Sequence, residues 1–488
     1  MKVLKFGGTS VGSVENIINV KNIITDGSKK IVVLSAMSGT TNELVAIANR
    51  IKEKNPNEAI NKIHKLQETY STTIDELLSN KTLNNEAKQY VSDVFSLLIN
   101  STYKAFSNVL ENVILAQGEL LSTFIFNCYL RQEGVRSALL PALSFMRIDA
   151  AKEPNLPYIK AHFETVFNTA EDSDIYITQG FICLNADGDI SNLQRGGSDY
   201  TATIIGAAIK AEEVQIWTDI DGMHNNDPRY VENTKPISNI SYDEAAELAY
   251  FGAKILHPQT VTPVRADHIP VSLKNTMNPN AHGTLISNLT SENGIKAIAA
   301  KDNITAIKIK SGRMLQAHGF LKKVFEVFEI YETSIDMITT SEVAVSLTID
   351  DDRNLDKIIA ELEQFAIIEV DKNQSIVCLV GHEIVNHDYT YKLFKILKDV
   401  KIRMISYGGS RNNISLLINS KDKICLILPL KNGAETAVGT PAAMAPTSAG
   451  KTYFNPCIKN STTAVLFTRL SEINPETFKR LSDFATSP

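Results

Sequence analysis

Two short segments of this chain carry residue types able to handle phosphate and carboxylate groups. In Lys5-Phe6-Gly7-Gly8-Thr9-Ser10 an ammonium closes an apolar run, and two glycines then leave backbone N–H groups open to a ligand. The second segment, Leu193-Gln194-Arg195-Gly196-Gly197-Ser198-Asp199-Tyr200, opens onto the apolar run Thr201 to Ala211. An arginine, a carboxylate and the free N–H groups of a helix start suit a small anionic or zwitterionic ligand. The first segment is not a Walker loop, because Ser13-Val14 stands where Lys-Ser/Thr is required, and it is not G-x-G-x-x-G. Taken alone, Gly7-Gly8 reads equally as a tight strand–helix turn with Lys5 on the surface. Likewise, Arg195 and Asp199 could be a structural pair in a turn.

Further candidates follow the same strand-then-loop logic. Ser35-Ala36-Met37-Ser38-Gly39-Thr40-Thr41-Asn42 offers hydroxyls and amides that could hold a carboxylate or simply cap a helix. Glu119 sits in a long apolar helix, where a buried carboxylate needs a cation and an exposed one needs nothing. Trp217-Thr218-Asp219-Ile220-Asp221-Gly222, then Asp227-Pro228-Arg229, follows a strand directly, the position where nucleotides bind in parallel sheets. Phe251-Gly252-Ala253-Lys254-Ile255-Leu256-His257-Pro258 adds a second lysine, and His257 there reads as helix-end packing.

The elements that must position these groups alternate. Strand candidates are 2–6, 30–35, 137–140, 174–179, 213–217 and 271–274; helical stretches cover 13–25, 43–52, 58–106, 110–132 and 200–211. Such alternation predicts a mostly parallel sheet covered on both faces. Ser241-Tyr242-Asp243-Glu244 reads as a capping box, with Pro258 marking the far end of a helix that delivers Lys254. Beyond about residue 300 a unit repeats: strand 304–310, helix 320–331 and strands 334–341 and 343–349 are followed by 376–380, 389–399, 402–407 and 414–419 in the same order. The stretch 433–450 is linker-like, rich in small residues and proline, and a short helix is expected at 475–481.

At 488 residues the chain exceeds one core, and its net charge of -6 argues against nucleic-acid binding. The five cysteines are scattered with no C-x-x-C pair, which fits a reducing compartment. No signal peptide and no apolar run of about 18 residues is read from the sequence, so a cytoplasmic protein without a membrane partner is expected.

These motifs, in this order, resemble the aspartate kinases of the amino-acid kinase family, and the repeated units resemble tandem ACT domains; the likeness runs from 1 to about 420. The resemblance implies a three-layer αβα catalytic domain with a mostly parallel central sheet (1–292), then two ACT-like, ferredoxin-like α+β regulatory units (300–372 and 373–425), and an atypical tail (426–488). It implies phosphorylation of the β-carboxylate of L-aspartate by ATP with Mg²⁺, with no metal site of the protein's own. Carried over by position, Lys5, Gly7 and Gly8 face the transferring phosphoryl group, with Asp199 beside them. Ser35, Thr41, Glu119, Arg195 and Ser198 fall at the aspartate. Lys5, Thr218, Asp219, His224, Arg229, Lys254 and Ile255 fall at the nucleotide, His224 standing where the family often has tyrosine. In the first ACT unit, Met314, His318, Gly319, Phe320, Leu321, Ser334, Ile335, Asp336, Thr340, Ser341 and Glu342 resemble the effector pocket of lysine-inhibited members. A homodimer through the ACT units is also implied. Another amino-acid kinase, or a non-catalytic amino-acid sensor on a kinase scaffold, remains the competing reading. The tail departs from the family: Pro429 interrupts the amphipathic helix that should close the second unit, at a cost of about 3 kcal/mol inside a helix.

Overall fold

A computed structural model describes residues 1–193, 196–228, 230–252, 256–288, 294–312, 318–385, 393, 397, 400–424 and 427. Its N-terminal half is built on strands β1 (Lys2–Phe6), β2 (Lys30–Leu34), β3 (Ser137–Leu140), β4 (Ile175–Gln179), β5 (Ile182–Leu184), β6 (Ile190–Asn192), β7 (Val214–Thr218), β8 (Asn239–Ser241), β9 (Val271–Asn275) and β10 (Thr284–Ser287). Among the described residues, one sheet runs β3-β4-β2-β1-β7-β9-β10-β8, parallel except where β10 meets β9, and β5 and β6 form a separate hairpin. Every position of β2 is buried, because Ile31 and Val33 enter the core on one face while Val32 and Leu34 enter the core on the other. This is why the central strands read as unbroken apolar runs.

Helices cover both faces: α1 (Val14–Ile24), α2 (Thr40–Lys52), α3 (Pro56–Leu77), α4 (Lys81–Ser101), α5 (Asn108–Gln132), α6 (Leu156–Thr169), α7 (Gly197–Ile209), α8 (Tyr242–Phe251) and the single turn α9 (Thr262–Arg265). The polar-rich stretch 58–106 is two helices, broken where the Asn80 side chain accepts from the N–H groups of Thr82 and Leu83 and so starts α4. Helix α5 has the length and apolar character of a bilayer span, yet 72% of its most apolar stretch is buried inside the protein. Helix α8 does begin at the capping box, with Ser241 and Glu244 each bonded to the other's backbone N–H. It stops at Phe251, seven residues before Pro258, because Gly252 adopts φ 149°. Pro258 instead opens a 3-10 turn, capped by His257 Nδ1 accepting from Gln259 N at 3.2 Å. Lys254, which that helix was expected to deliver, lies outside the described residues.

The second half adds β11 (Gly294–Lys310), α10 (Phe320–Ile330), β12 (Ile338–Thr340), β13 (Ala344–Ile349), α11 (Leu355–Leu362), β14 (Ile367–His382), β15 (Ile402–Tyr407) and β16 (Asn413–Asn419). The two repeated units share one sheet, ordered β12-β13-β11-β14-β16-β15. Strands β11 and β14 are long enough to pass through both: 304–310 pairs with 367–374, and 294–301 with 376–382. The later half of β11 packs Ile307 and Ile309 against α10 and α11, whereas its earlier half gives Ile298 and Ala300 to the other unit's core. The first unit is thus set inside the second, and a division at residue 372 runs through β14. Of the helix expected at 389–399, only Leu393 and Leu397 are described, both in that second core with Ile427. The stretch 433–450 and the helix expected at 475–481 lie outside the described residues.

Candidate active site

Parallel pairing brings the carboxyl ends of β1, β2, β4, β7 and β9 to one edge, and the loops leaving them line two cavities. The loops after β2 and β4 and the starts of α2 and α7 enclose one of about 390 Å³, lined by residues including Gly8, Ser35, Thr41, Glu119, Phe181 and Ser198. The loop after β7 forms the other, of about 600 Å³, whose wall includes Asp219, His224, Asn226, Leu248, Gly252 and Ala300. Strand β1 lies between β2 and β7, so Lys5 stands between them.

Lys5 is buried, and its Nζ is 2.6 Å from Asp199 Oδ1 in the first turn of α7. A Cβ on Gly7 would lie 3.4 Å from that ammonium, and one on Gly8 only 2.9 Å from the Ala36 carbonyl, so the bare backbone keeps this corner open. Ser35 Oγ donates to Ser198 Oγ at 2.9 Å, linking the two loops across the smaller cavity. Three helical N-termini converge there: the 3-10 turn after Gly8, α2 after Gly39, and α7 after Gly196. Their free N–H groups make the cavity receptive to carboxylate or phosphate.

One feature of the cavity calls for a cation. Glu119 Oε1 accepts from Ala36 N at 3.2 Å, but Oε2 is buried with no partner. Burial pushes its carboxyl up to about 7, against the pull of the Ala36 N–H and of Lys5. A buried carboxylate beside an anion-receptive wall describes a site for a molecule bearing both an ammonium and carboxylates.

Of the residues singled out in the sequence, Lys5, Gly7, Gly8, Ser35, Thr41, Glu119, Ser198 and Asp199 gather at or beside the smaller cavity. Thr218 ends β7, and Asp219 and His224 line the larger cavity, where both imidazole nitrogens are engaged, by Thr234 Oγ1 at 2.8 Å and Asp221 Oδ1 at 2.7 Å. Arg195, Arg229, Lys254, Ile255 and Met314 lie outside the described residues. Missed by the sequence reading were Gly180 and Phe181: a Cβ on Gly180 would fall 2.3 Å from the Ser198 side chain, and Phe181 takes φ 67°. A glycine directly after a buried strand was the available signal.

The effector candidates occupy the first repeated unit, apart from both cavities. Gly319 caps α10, with His318 and Leu321 exposed beside it, and Ser334, Thr340, Ser341 and Glu342 are exposed too. The Phe320 side chain belongs to the unit's own core, edge-on to Phe365, and Ile335 packs against that core. The Asp336 side chain is covered and already paired: Lys301 Nζ and the Tyr250 hydroxyl each reach its Oδ1 at 2.7 Å.

Residues 1–275 match the amino acid kinase family and 377–424 match the ACT domain. The lysine-sensitive aspartokinase 3 of Escherichia coli is 33% identical over 434 residues, which cover 86% of this chain and 96% of that protein. The chain belongs to the aspartokinases. This aspartokinase resembles the crystal structure of E. coli aspartokinase III in complex with aspartate and ADP (R-state), with TM-score 0.77, 32% identity, and coverage of 89% of this chain and 99% of that one. Against the same enzyme in complex with lysine and aspartate (T-state), the TM-score is 0.72 at 32% identity, over 88% of this chain and 99% of that one. As an aspartokinase it is an ATP-dependent phosphotransferase acting on a carboxylate acceptor, and its mostly parallel sheet followed by ACT units is the architecture expected from the sequence.

Proposed function

We propose that L-aspartate occupies the smaller cavity and ATP the larger, with the γ-phosphoryl group crossing in front of Lys5. The carrying observation is the position of Lys5 on β1 between the two, paired with Asp199, opposite the unpartnered Oε2 of Glu119. Glu119 takes the substrate ammonium, Ser35, Thr41, Ser198 and the α7 N-terminus with Arg195 take its carboxylates, and Thr218, Asp219, His224, Arg229, Lys254 and Ile255 hold the nucleotide.

A carboxylate nucleophile is ionised at neutral pH and needs no general base, so acceleration comes from alignment and from screening of like charges. Asp199 fixes the Lys5 ammonium, and the Gly7 and Gly8 backbone leaves room for phosphoryl oxygens beside it. Mg²⁺ brought in with the nucleotide would screen the charge of its phosphates, beside the ammonium of Lys5. Because the E. coli relative is lysine-sensitive, we further read lysine as the effector, acting at the ACT unit that holds Asp336. A cytoplasmic homodimer joined through the ACT sheet completes this reading.

Aspartate-dependent ADP release is the deciding assay. Lys5→Ala is expected to lower kcat by at least a hundredfold with little change in aspartate KM, the scale of losing one preorganised electrostatic contact. Turnover equal to the parent's would remove Lys5 from the reaction.

A further inference from the structure

Tyr250 lies in the last turn of α8, in the catalytic half, and its hydroxyl donates to Asp336 Oδ1 at 2.7 Å in the first ACT unit. That oxygen also receives Lys301 Nζ at 2.7 Å. Lys301 reaches Asp350 Oδ2 at 2.8 Å and lies 4.5 Å from the centre of the Tyr250 ring. The Asp336 side chain is 1% exposed, and its Oδ2 is buried with no partner. One carboxylate therefore joins the two halves of the molecule while keeping a spare acceptor.

We infer that Tyr250 is a positioning residue through which occupancy of Asp336 is felt at the nucleotide-side cavity. The inference rests on lysine being the effector and Asp336 one of its ligands. An effector ammonium arriving at Asp336 would make a second charge-assisted bond to a carboxylate that already has Lys301. The spare Oδ2 would take that bond, and as the carboxylate turns between two ammonium groups the phenol, the one neutral donor and the least strongly held, is the contact that lets go. Its release frees the end of α8, where Leu248 and Gly252 line the larger cavity. Gly252 leaves no slack there: a Cβ on it would sit 2.7 Å from the Ala300 carbonyl, beside Lys301. A shift of this turn therefore alters the cavity wall directly, rather than through a distant relay.

The sign follows from competition for one carboxylate. The Tyr250 hydroxyl and an effector ammonium both bond to Asp336, so each weakens the hold of the other. Removing the hydroxyl takes a stabilising contact from the form that lysine must overcome, so lysine should act at lower concentration.

The test is Tyr250→Phe in the full chain, assayed for aspartate-dependent ADP release across a lysine titration. Expected are a lysine IC50 lowered about threefold to tenfold, the range of one ordinary net hydrogen bond, and an ATP KM without lysine that is unchanged or shifted in the direction lysine itself produces. Calorimetric lysine binding should tighten by a similar factor. A raised IC50, or one within twofold of the parent's, would overturn the role of Tyr250 while leaving lysine regulation intact. A parent enzyme indifferent to millimolar lysine would sink the regulatory reading itself, and this inference with it.

Discussion

Glu119 is the carboxylate whose charge the smaller cavity leaves unbalanced, and its titration gives a test at the scale of single residues. Burial raises its carboxyl to about 7, so the group is increasingly protonated, and unable to hold an ammonium, as pH falls below that value. Aspartate KM should therefore be flat above pH 8 and rise below 7, approaching tenfold per pH unit. Glu119→Gln should raise KM throughout and flatten the profile; a parent KM constant from pH 6 to 8 would show that Glu119 does not bind the ammonium. The sequence singled out Glu119 but not what surrounds it. Gly118 is what lets α5 lie against the loop after β2, since a Cβ there would meet the Ala36 side chain at 2.8 Å. Such closeness is a property of two packed elements, and no local pattern announces it.

Among the elements, α8 joins the catalytic half to β11. Its capping box fixes its start, and Glu244 reaches back as a cap while pairing with Lys296 of β11 at 2.7 Å. Ser241→Ala should lower unfolding free energy by about 1 kcal/mol, seen as a lower urea midpoint at unchanged slope. An unchanged midpoint would mean that the cap adds nothing beyond the tertiary contacts of the helix. The start of α8 was legible because capping is local chemistry; its end was not, because Gly252 stops the helix by packing on β11. The short strands β5, β6, β8 and β10 escaped notice for a related reason. Runs of three or four residues carry too little periodicity, and pairing with neighbours defines them.

For the molecule as a unit, the consequential feature is the pair of long strands shared by both ACT units. A chain ended after residue 372 would keep β11 but lose the later half of β14 with β15 and β16, leaving 294–301 without the strand it pairs with. Ile298 and Ala300 would also lose Val377, Leu379 and Leu416 from their core. That truncation is expected to aggregate on gel filtration, whereas a chain ended after residue 427 keeps every described strand and should elute as a defined species. A monodisperse 1–372 fragment with parental kinetics would show that the units fold separately.

Composition, periodicity and motif spacing by themselves determined the alternating α/β half, the repeated C-terminal units, and which polar residues could do chemistry. Buried parallel strands must be continuous apolar runs, caps and turns are local, and phosphate and carboxylate sites demand particular side chains. Only the tertiary structure decided that Lys5 pairs with Asp199, that Glu119 keeps a bare oxygen, that Asp336 is already bound by Lys301 and Tyr250, and that β11 serves two cores. Each of these joins residues far apart along the chain, and which partner a buried charge or strand edge finds depends on how the elements pack.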